Sequence, residues 1–319
     1  MVSGAPRGPR APLLVIAGPT GVGKTAVAVE LARRVAIEVV SADSRQVYRG
    51  MDAATGKPTE DERRAVPHHL VDVVDPDDRY HAARFRQEAG LAIAGIHGRG
   101  RLPVVVGGTG LYIRALLRGL DPMPPADPAY RAELAGIAAR EGAGVLHARL
   151  AEAAPELGRR LHPNDRVRVV RALELLRAGA PVGVGQTAWR DTDGAGVVYV
   201  ALTMERAALA RRLRARAAAM VAAGLAGEVR ALLARGYDAS LPSMLGIGYR
   251  EFVQVVRGTL GEAEALVHMQ RETVRYAKRQ GTWFRREPGV EWLDVEAAGG
   301  PAGVAAHVAR RLAAGGMIP

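Results

Sequence analysis

The stretch Gly18-Pro19-Thr20-Gly21-Val22-Gly23-Lys24-Thr25 follows the apolar run LLVIA at 13–17 and runs into KTAVAVELARRV at 24–35. The first run reads as a buried strand, and the second has apolar residues at helical spacing. A strand, a glycine-rich loop and a helix start together form the context in which such a loop holds phosphate. Backbone N–H groups freed by the glycines point inward at the positive end of the following helix and cradle a diphosphate. Lys24 adds a charge, and the Thr25 hydroxyl is suited to ligate Mg²⁺. Without the flanking strand and helix, the same letters would be only a glycine-rich turn.

Composition supports the loop reading. Of 44 basic residues only three are lysine: Lys24, Lys57 and Lys278. In a chain so biased toward arginine, a lysine suggests a position where a planar guanidinium fork does not fit and a compact ammonium does. Lys24 stands where the loop chemistry needs one. Lys57, in the loop ATGKPT (54–59), could by itself be a solvated charge.

Outward from the loop, IEVVSA (37–42) reads as a buried strand with Asp43 at or just beyond its end. HHLVDVVDP (68–76) reads as another strand ending in a proline turn, with His68 and His69 as strand-entry residues rather than metal ligands. AARFRQEAGLAIAGIHGRG (82–100) has the pattern of an amphipathic helix, and LPVVVGG (102–108) that of a strand entering a Gly-Gly turn. Strands alternating with helices predict an α/β fold, a P-loop NTPase-like parallel sheet with helices on both faces. In such sheets ligands bind beyond the carboxyl ends of strands, where the Gly18 loop, Asp43 and the Gly107-Gly108-Thr109 turn all fall.

The pattern changes at DPMPPADP (121–128). Asp127 followed by Pro128 is a helix start, an N-cap with proline at the first helical position. From there to about Gly179 every periodic segment is helical, and 179–196 reads as a loop. VVYVALT (197–203) returns to the sheet, followed by a long basic helix from Glu205. TLGE (259–262) has the signature of a capping box opening a helix toward Trp283, and GVEWLDV (289–295) reads as a last strand. Residues 121–195 are therefore read as an all-helical insertion in a core made of 13–120 and 196–319. Residues 1–12 read as a disordered, weakly basic tail that lacks the apolar run of a signal peptide.

With 319 residues and 48% apolar content, the chain can bury a sizeable core. No apolar run of about 18 residues argues for a membrane span. The absence of cysteine excludes disulfides and thiolate-held zinc. A cytoplasmic monomer is the simplest expectation. The net charge of +11 points to a polyanionic partner, and residues 205–286 hold 15 Lys+Arg against 7 Asp+Glu. On the last long helix Arg271, Arg275, Lys278 and Arg279 share one face, with Tyr276 and Trp283 nearby. A basic stripe with aromatics suits a phosphate backbone and stacked bases, although surface helices also carry such stripes as solvated charge.

Asp43, in SADSRQVY (41–48), is the next candidate for chemistry. A carboxylate close to bound phosphate is electrostatically costly, so it reads as a general base or a metal-associated acid. The alternative is an N-cap on a short helix over Ser44–Tyr48. Thr109, in GGTGLY (107–112), is equally compatible with a simple helix cap.

Taken in order, GPTGVGKT, SADSRQVYRGMDAATGKPT, PHHLVDVVDP, VVVGGTGLYIRALLRGL, HPNDRVRVVRALE, LGIGYRE and RYAKRQGTWFRR closely resemble the bacterial tRNA dimethylallyltransferase (tRNA isopentenyltransferase) family over residues 13–295. The resemblance implies a Mg²⁺-dependent transfer of a dimethylallyl group from dimethylallyl diphosphate to the exocyclic amine of the adenine just 3′ of the tRNA anticodon. It implies that Asp43 is the general base and that the loop from Gly18 to Thr25 holds the diphosphate. It further implies tRNA contacts from Asp43, Ser44, Arg45, Gln46, Thr109 and Arg131, and from the segment Val167-Arg168-Val169-Val170-Arg171. Val167 stands where a glutamine is common, which puts one expected RNA hydrogen bond in question. Two other readings share parts of this pattern. A P-loop small-molecule or nucleoside kinase would share the loop and sheet but would not need the basic last third. A non-catalytic RNA-binding protein would tolerate loss of Asp43.

Overall fold

The computed structural model describes residues 11–121, 123–142, 144–182 and 196–318. The expected tail at 1–12 and the loop at 179–196 fall largely outside these residues. The chain divides into two compact units, one made of Met1–Leu117 with Thr192–Pro319 and the other of Arg118–Asp191.

In the first unit β1 (Leu13–Ala17), α1 (Lys24–Ala32), β2 (Ile37–Ala42), α2 (Glu60–Ala65), β3 (His68–His69), α3 (Ala82–Gly98), β4 (Leu102–Gly107) and α4 (Gly110–Arg118) follow one another. The second unit holds α5 (Pro128–Glu141), α6 (Gly144–Ala153), α7 (Pro155–Arg160) and α8 (Arg166–Arg177). The chain then returns to the first unit with β5 (Val197–Thr203), α9 (Arg206–Ala222), α10 (Leu225–Ala234), α11 (Tyr249–Val256), α12 (Glu262–Phe284), β6 (Glu291–Asp294) and α13 (Gly300–Ala314).

The six strands form one parallel sheet in the order β3-β2-β4-β1-β5-β6. Strand β1 is central and buried throughout, which is why LLVIA reads as a continuous apolar run rather than an alternating one. Its side chains still divide by face. Leu14 and Ile16 pack with Val27 and Leu31 of α1 and Val304 and Val308 of α13. Leu13, Val15 and Ala17 pack with Phe85 of α3, Ile113 of α4 and Phe284 of α12. A third apolar cluster joins α10, α11 and α12 through Val229, Phe252 and Met269 to Val47 and Met51. No single helix among the described residues is long and apolar enough to cross a membrane.

The second unit has its own core of Leu134, Ile137, Leu150, Val169 and Leu173. Asp127 caps α5 by accepting from the Tyr130 amide at 3.0 Å, with Pro128 at the first helical position.

Two local expectations are corrected. The run at 68–76 pairs as a strand only over His68–His69, with one further bridge between Val74 and Tyr48. Leu70 and Asp72 take positive φ values of 61° and 58°, which ends the extended conformation. The turn so made delivers the Asp72 carboxylate to Lys57 and to Arg63, the latter at 2.9 Å. The expected capping box before α12 does not form. Gly261 is the N-cap, and the Thr259 hydroxyl instead donates to the Gln254 carbonyl at 3.2 Å, closing the end of α11.

Candidate active site

The loop after β1 uses glycine at its turning points, with φ of 142° at Gly18, 78° at Gly21 and 107° at Gly23. Val22 is fully buried and packs into the core beside α1, so it can offer a ligand only its backbone. Lys24 opens α1 and folds back over the loop, donating to the carbonyls of Gly18 at 3.0 Å and Pro19 at 2.9 Å. Burial lowers its ammonium from the usual lysine range to about 8, with the Asp43 charge opposing and Arg216 assisting. Thr25 lines the same cavity at the next position of the helix.

Strand β2 ends at Ala42 and places Asp43 at the neighbouring strand end. The capping alternative is partly what the structure builds. Residues 44–47 form a turn rather than a helix, and Asp43 Oδ1 accepts from the Arg45 amide at 2.8 Å. The Ser44 amide donates to Thr109 Oγ1 at 3.0 Å, so Thr109 ties the β2 end to the β4 end. Gln46 is held by its neighbours: Ser41 Oγ donates to its Oε1 at 2.8 Å, and its Nε2 donates to the Gly56 carbonyl at 2.8 Å. Arg45 donates to the Pro242 carbonyl at 2.7 Å.

Lys57 is not a solvated charge. Its side chain is 5% exposed and donates to the Tyr48 carbonyl at 2.6 Å and to the carboxylates of Asp52 and Asp72. A point-like ammonium serves three converging acceptors here, which a flat guanidinium could not do in the same space. Lysine scarcity therefore marks a second built position.

Sequence reasoning missed Arg216. It is one of five arginines on α9, and nothing in the helix's own pattern separates it from the other four. Its guanidinium lies against Gly56, where an added Cβ would fall 1.6 Å from Nη2. Burial lowers its pKa from the usual arginine value, and the Asp43 charge opposes that shift. Arg216 and Asp43 thus sit close enough to interact, both facing open space.

Two cavities meet at this point. The first, of about 260 Å³, is bounded by the loop residues Gly21, Gly23, Lys24 and Thr25 and by Arg212 from α9. The second, of about 330 Å³, is bounded by Ser44, Arg45, Tyr276 and Arg279 and has apolar walls from Met220, Ile247 and Met269. Both share Thr20, Asp43, Thr55 and Arg216. Tyr276 is pushed up to about 12 by burial and by the Asp43 carboxylate, so its phenol stays protonated beside that charge.

On the outer side of α12, Arg275, Lys278 and Arg279 border an open hollow with Arg114 and Arg286, over the Trp283 ring. Arg114 stacks on that ring at 4.3 Å. Arg271, one turn earlier, lies 3.8 Å from Glu272, which also pairs with Arg275 at 2.7 Å.

In the second unit, Arg131 makes a two-pronged pair with buried Glu174, both distances 2.7 Å. Arg171 donates to the same carboxylate at 3.3 Å and to the Pro124 carbonyl at 2.6 Å. Burial opposes ionisation of Glu174, but Arg131, the Asp127 amide and Arg171 outweigh it and hold the carboxyl at about 2. Arg168 pairs with Asp165 at 2.6 Å and is largely exposed, and Val167 is 82% exposed.

The model of the family described as "IPP transferase" matches residues 46–287, and that described as "Isopentenyl transferase" matches residues 11–70. A curated tRNA dimethylallyltransferase from Anaeromyxobacter sp. (strain Fw109-5) is 53% identical over 283 residues, covering 88% of this chain and 94% of the relative. Among solved structures, the tRNA isopentenylpyrophosphate transferase of Bacillus halodurans superposes with a TM-score of 0.70 at 38% identity, covering 96% of this chain and 98% of that one. A eukaryotic dimethylallyltransferase acting on tRNA superposes with a TM-score of 0.72 at 28% identity, covering 89% of this chain and 74% of that one. A family model over residues 46–287 and relatives alike along nearly the full length of both chains lead to one conclusion: the chain belongs to the IPP transferase family.

Proposed function

We propose that the protein transfers the dimethylallyl group of dimethylallyl diphosphate to the exocyclic amine of the adenine 3′-adjacent to the anticodon in tRNA. The observation that carries this reading is the meeting of a phosphate-loop cavity and a second, arginine-rimmed cavity at Asp43 and Arg216. The donor diphosphate belongs in the first cavity, against the loop amides and Lys24. The acceptor base belongs in the second, where arginines can meet the flanking phosphates and Tyr276 and methionines can meet a flat ring. The kinase alternative leaves the second cavity without a task.

The reaction breaks the allylic C–O bond and forms a C–N bond. Charge builds on the departing diphosphate, and Lys24 and Arg216 are placed to stabilise it. An aromatic amine becomes acidic only as its new C–N bond forms, and Asp43 then takes the proton. The base must leave its stack, at a cost of a few kcal/mol offset by contacts to the RNA. Of the candidate RNA contacts, Ser44 and Arg45 line the second cavity and Gln46 the first, Thr109 holds the Ser44 amide, and Arg131, Val167, Arg168 and Arg171 belong to the second unit.

The donor set fits Mg²⁺ bound chiefly through its ligand rather than caged by the protein. The described residues contain no group of three or more His, Asp or Glu able to cage an ion. Such an ion would be held by Thr25 Oγ1, the diphosphate oxygens and water, as is usual for Mg²⁺ on phosphates. Bound there, it would neutralise charge on the leaving group. A tRNA substrate supports a cytoplasmic protein.

The direct test is incubation with dimethylallyl diphosphate, Mg²⁺ and an anticodon stem-loop, followed by mass spectrometry. One added dimethylallyl group at the adenine is expected, and ATP turnover without modified RNA would favour the kinase.

Two further results are expected. Lys24 offers its charge to an incoming anion below about pH 8 and loses it above. Donor affinity should therefore fall as pH rises through that value, by about tenfold per pH unit once the group is mostly neutral. Titration calorimetry should show proton uptake on donor binding at pH above 8, and Lys24→Met should bind weakly at every pH with no such uptake. Replacing Arg275 and Lys278 by glutamine should reduce the salt slope of stem-loop binding by about two units, since each phosphate contact is worth about 0.9. An unchanged slope would make the outer face of α12 a solvated surface.

A further inference from the structure

Gln280 lies on α12, is 6% exposed, and stands 260 residues from its first partner in sequence. Its Oε1 accepts from the Thr20 amide at 2.8 Å, and its Nε2 donates to the Gly108 carbonyl at 2.9 Å. The fit is close: a Cβ on Gly108 would fall 2.2 Å from Nε2. The two bonded segments follow β1 and β4, which are paired neighbours in the sheet. One side-chain amide therefore bridges the phosphate loop and the β4 turn, and the residue one helical turn earlier, Tyr276, lines the cavity of Asp43.

We propose that Gln280 is a positioning residue that sets the shape of the phosphate loop by holding the Thr20 amide against the β4 turn. The inference rests on the reading of that loop as the donor diphosphate site. A loop with glycines at 18, 21 and 23 has wide conformational freedom, and its amides bind an anion well only while they converge. The Thr20 amide is spent on Gln280 instead of the anion, which fixes where the amides of Gly21 and Gly23 point. Tilting the loop would also turn the donor carbon away from the acceptor amine, and small misplacements at a reacting centre are costly.

The test uses two variants and inorganic diphosphate as probe, beside single-turnover assays with donor and stem-loop. Gln280→Met keeps length and loses both hydrogen bonds. It should weaken diphosphate binding by about tenfold, the scale of one lost buried hydrogen bond, and lower the saturated single-turnover rate by about 10–100-fold. Stem-loop affinity should stay within about threefold, because loss of one interior tether leaves the outer face of α12 intact. Gln280→Glu adds a pH signature, in which loss of the Gly108 bond acts together with repulsion of the anion while the carboxyl is ionised. While ionised it cannot donate to the Gly108 carbonyl; once protonated it can make both bonds again. The ratio of its diphosphate affinity to that of the wild type should therefore rise as pH falls from about 8 to about 6, the range into which burial moves a carboxyl. A folded Gln280→Met protein with wild-type affinity and rate, or a Gln280→Glu ratio that is flat with pH, would overturn the proposal. If Gln280→Met does not fold, the Gln280→Glu ratio decides alone. Failure of the wild type itself to bind diphosphate would instead sink the donor-site reading, and this inference with it.

Discussion

Asp43→Asn is expected to lower the single-turnover rate by about 10²–10⁴, the usual range for loss of a general base. Asparagine keeps an Oδ1 that can accept from the Arg45 amide, now at 2.8 Å, so the turn over 44–47 should survive. Donor and stem-loop affinities should therefore change little, and melting temperature should stay close to that of the wild type, since asparagine caps as well as aspartate. The loss belongs in single-turnover experiments because the proton moves during the chemical step. A metal-holding role for Asp43 would show instead as partial rescue by higher Mg²⁺ or by Mn²⁺. Rates within about threefold of wild type would leave Asp43 as a turn cap and nothing more.

The second large effect is expected at Arg216. Arg216→Met retains the bulk of the side chain and removes the cation that borders both cavities beside Asp43. Loss of one preorganised group facing a developing anion typically costs about 10²–10³ in rate. Gly56 offers an independent route to the same change. Gly56→Ala places a methyl 1.6 Å from Arg216 Nη2 and 2.8 Å from its Cζ, so the guanidinium has to move while its chemistry is retained. Gly56 also has φ of 60°, so some stability is lost as well. If the position of the charge is what matters, Gly56→Ala should lose much of the same rate. The double variant should then be no slower than Arg216→Met, a non-additive cycle. Additive losses would separate the two residues and deny Arg216 its placement by Gly56.

Much of this site was legible in the sequence because its parts are local. The loop from Gly18 to Thr25 depends on a strand just before it and a helix just after it. Asp43 and Thr109 follow apolar runs whose ends mark sheet ends, and a parallel sheet collects such ends on one edge. The same locality fixed the start of α5 at Asp127-Pro128. Where the signal depended on an alternative partner, it misled. Apolar letters at 68–76 suggested a longer strand, but Leu70 and Asp72 turn the chain so that the Asp72 carboxylate can meet Lys57. Thr259 and Glu262 had capping-box spacing, but the hydroxyl found the end of the preceding helix instead.

By itself, then, the sequence determined a parallel sheet with helices around it, a glycine-rich loop at its carboxyl edge and the carboxylate beside it, because apolar runs and glycine spacing are properties of neighbouring residues and lysine scarcity is a property of composition. Only the tertiary structure decided that Arg216, among the α9 arginines, borders both cavities that Asp43 lines, that Gln280 ties the loop to the β4 turn, and that Arg131 is already paired with Glu174. These three depend on segments brought together from distant parts of the chain. An arginine or glutamine on a helix looks the same in sequence whether it faces water or a buried partner, and only packing selects which.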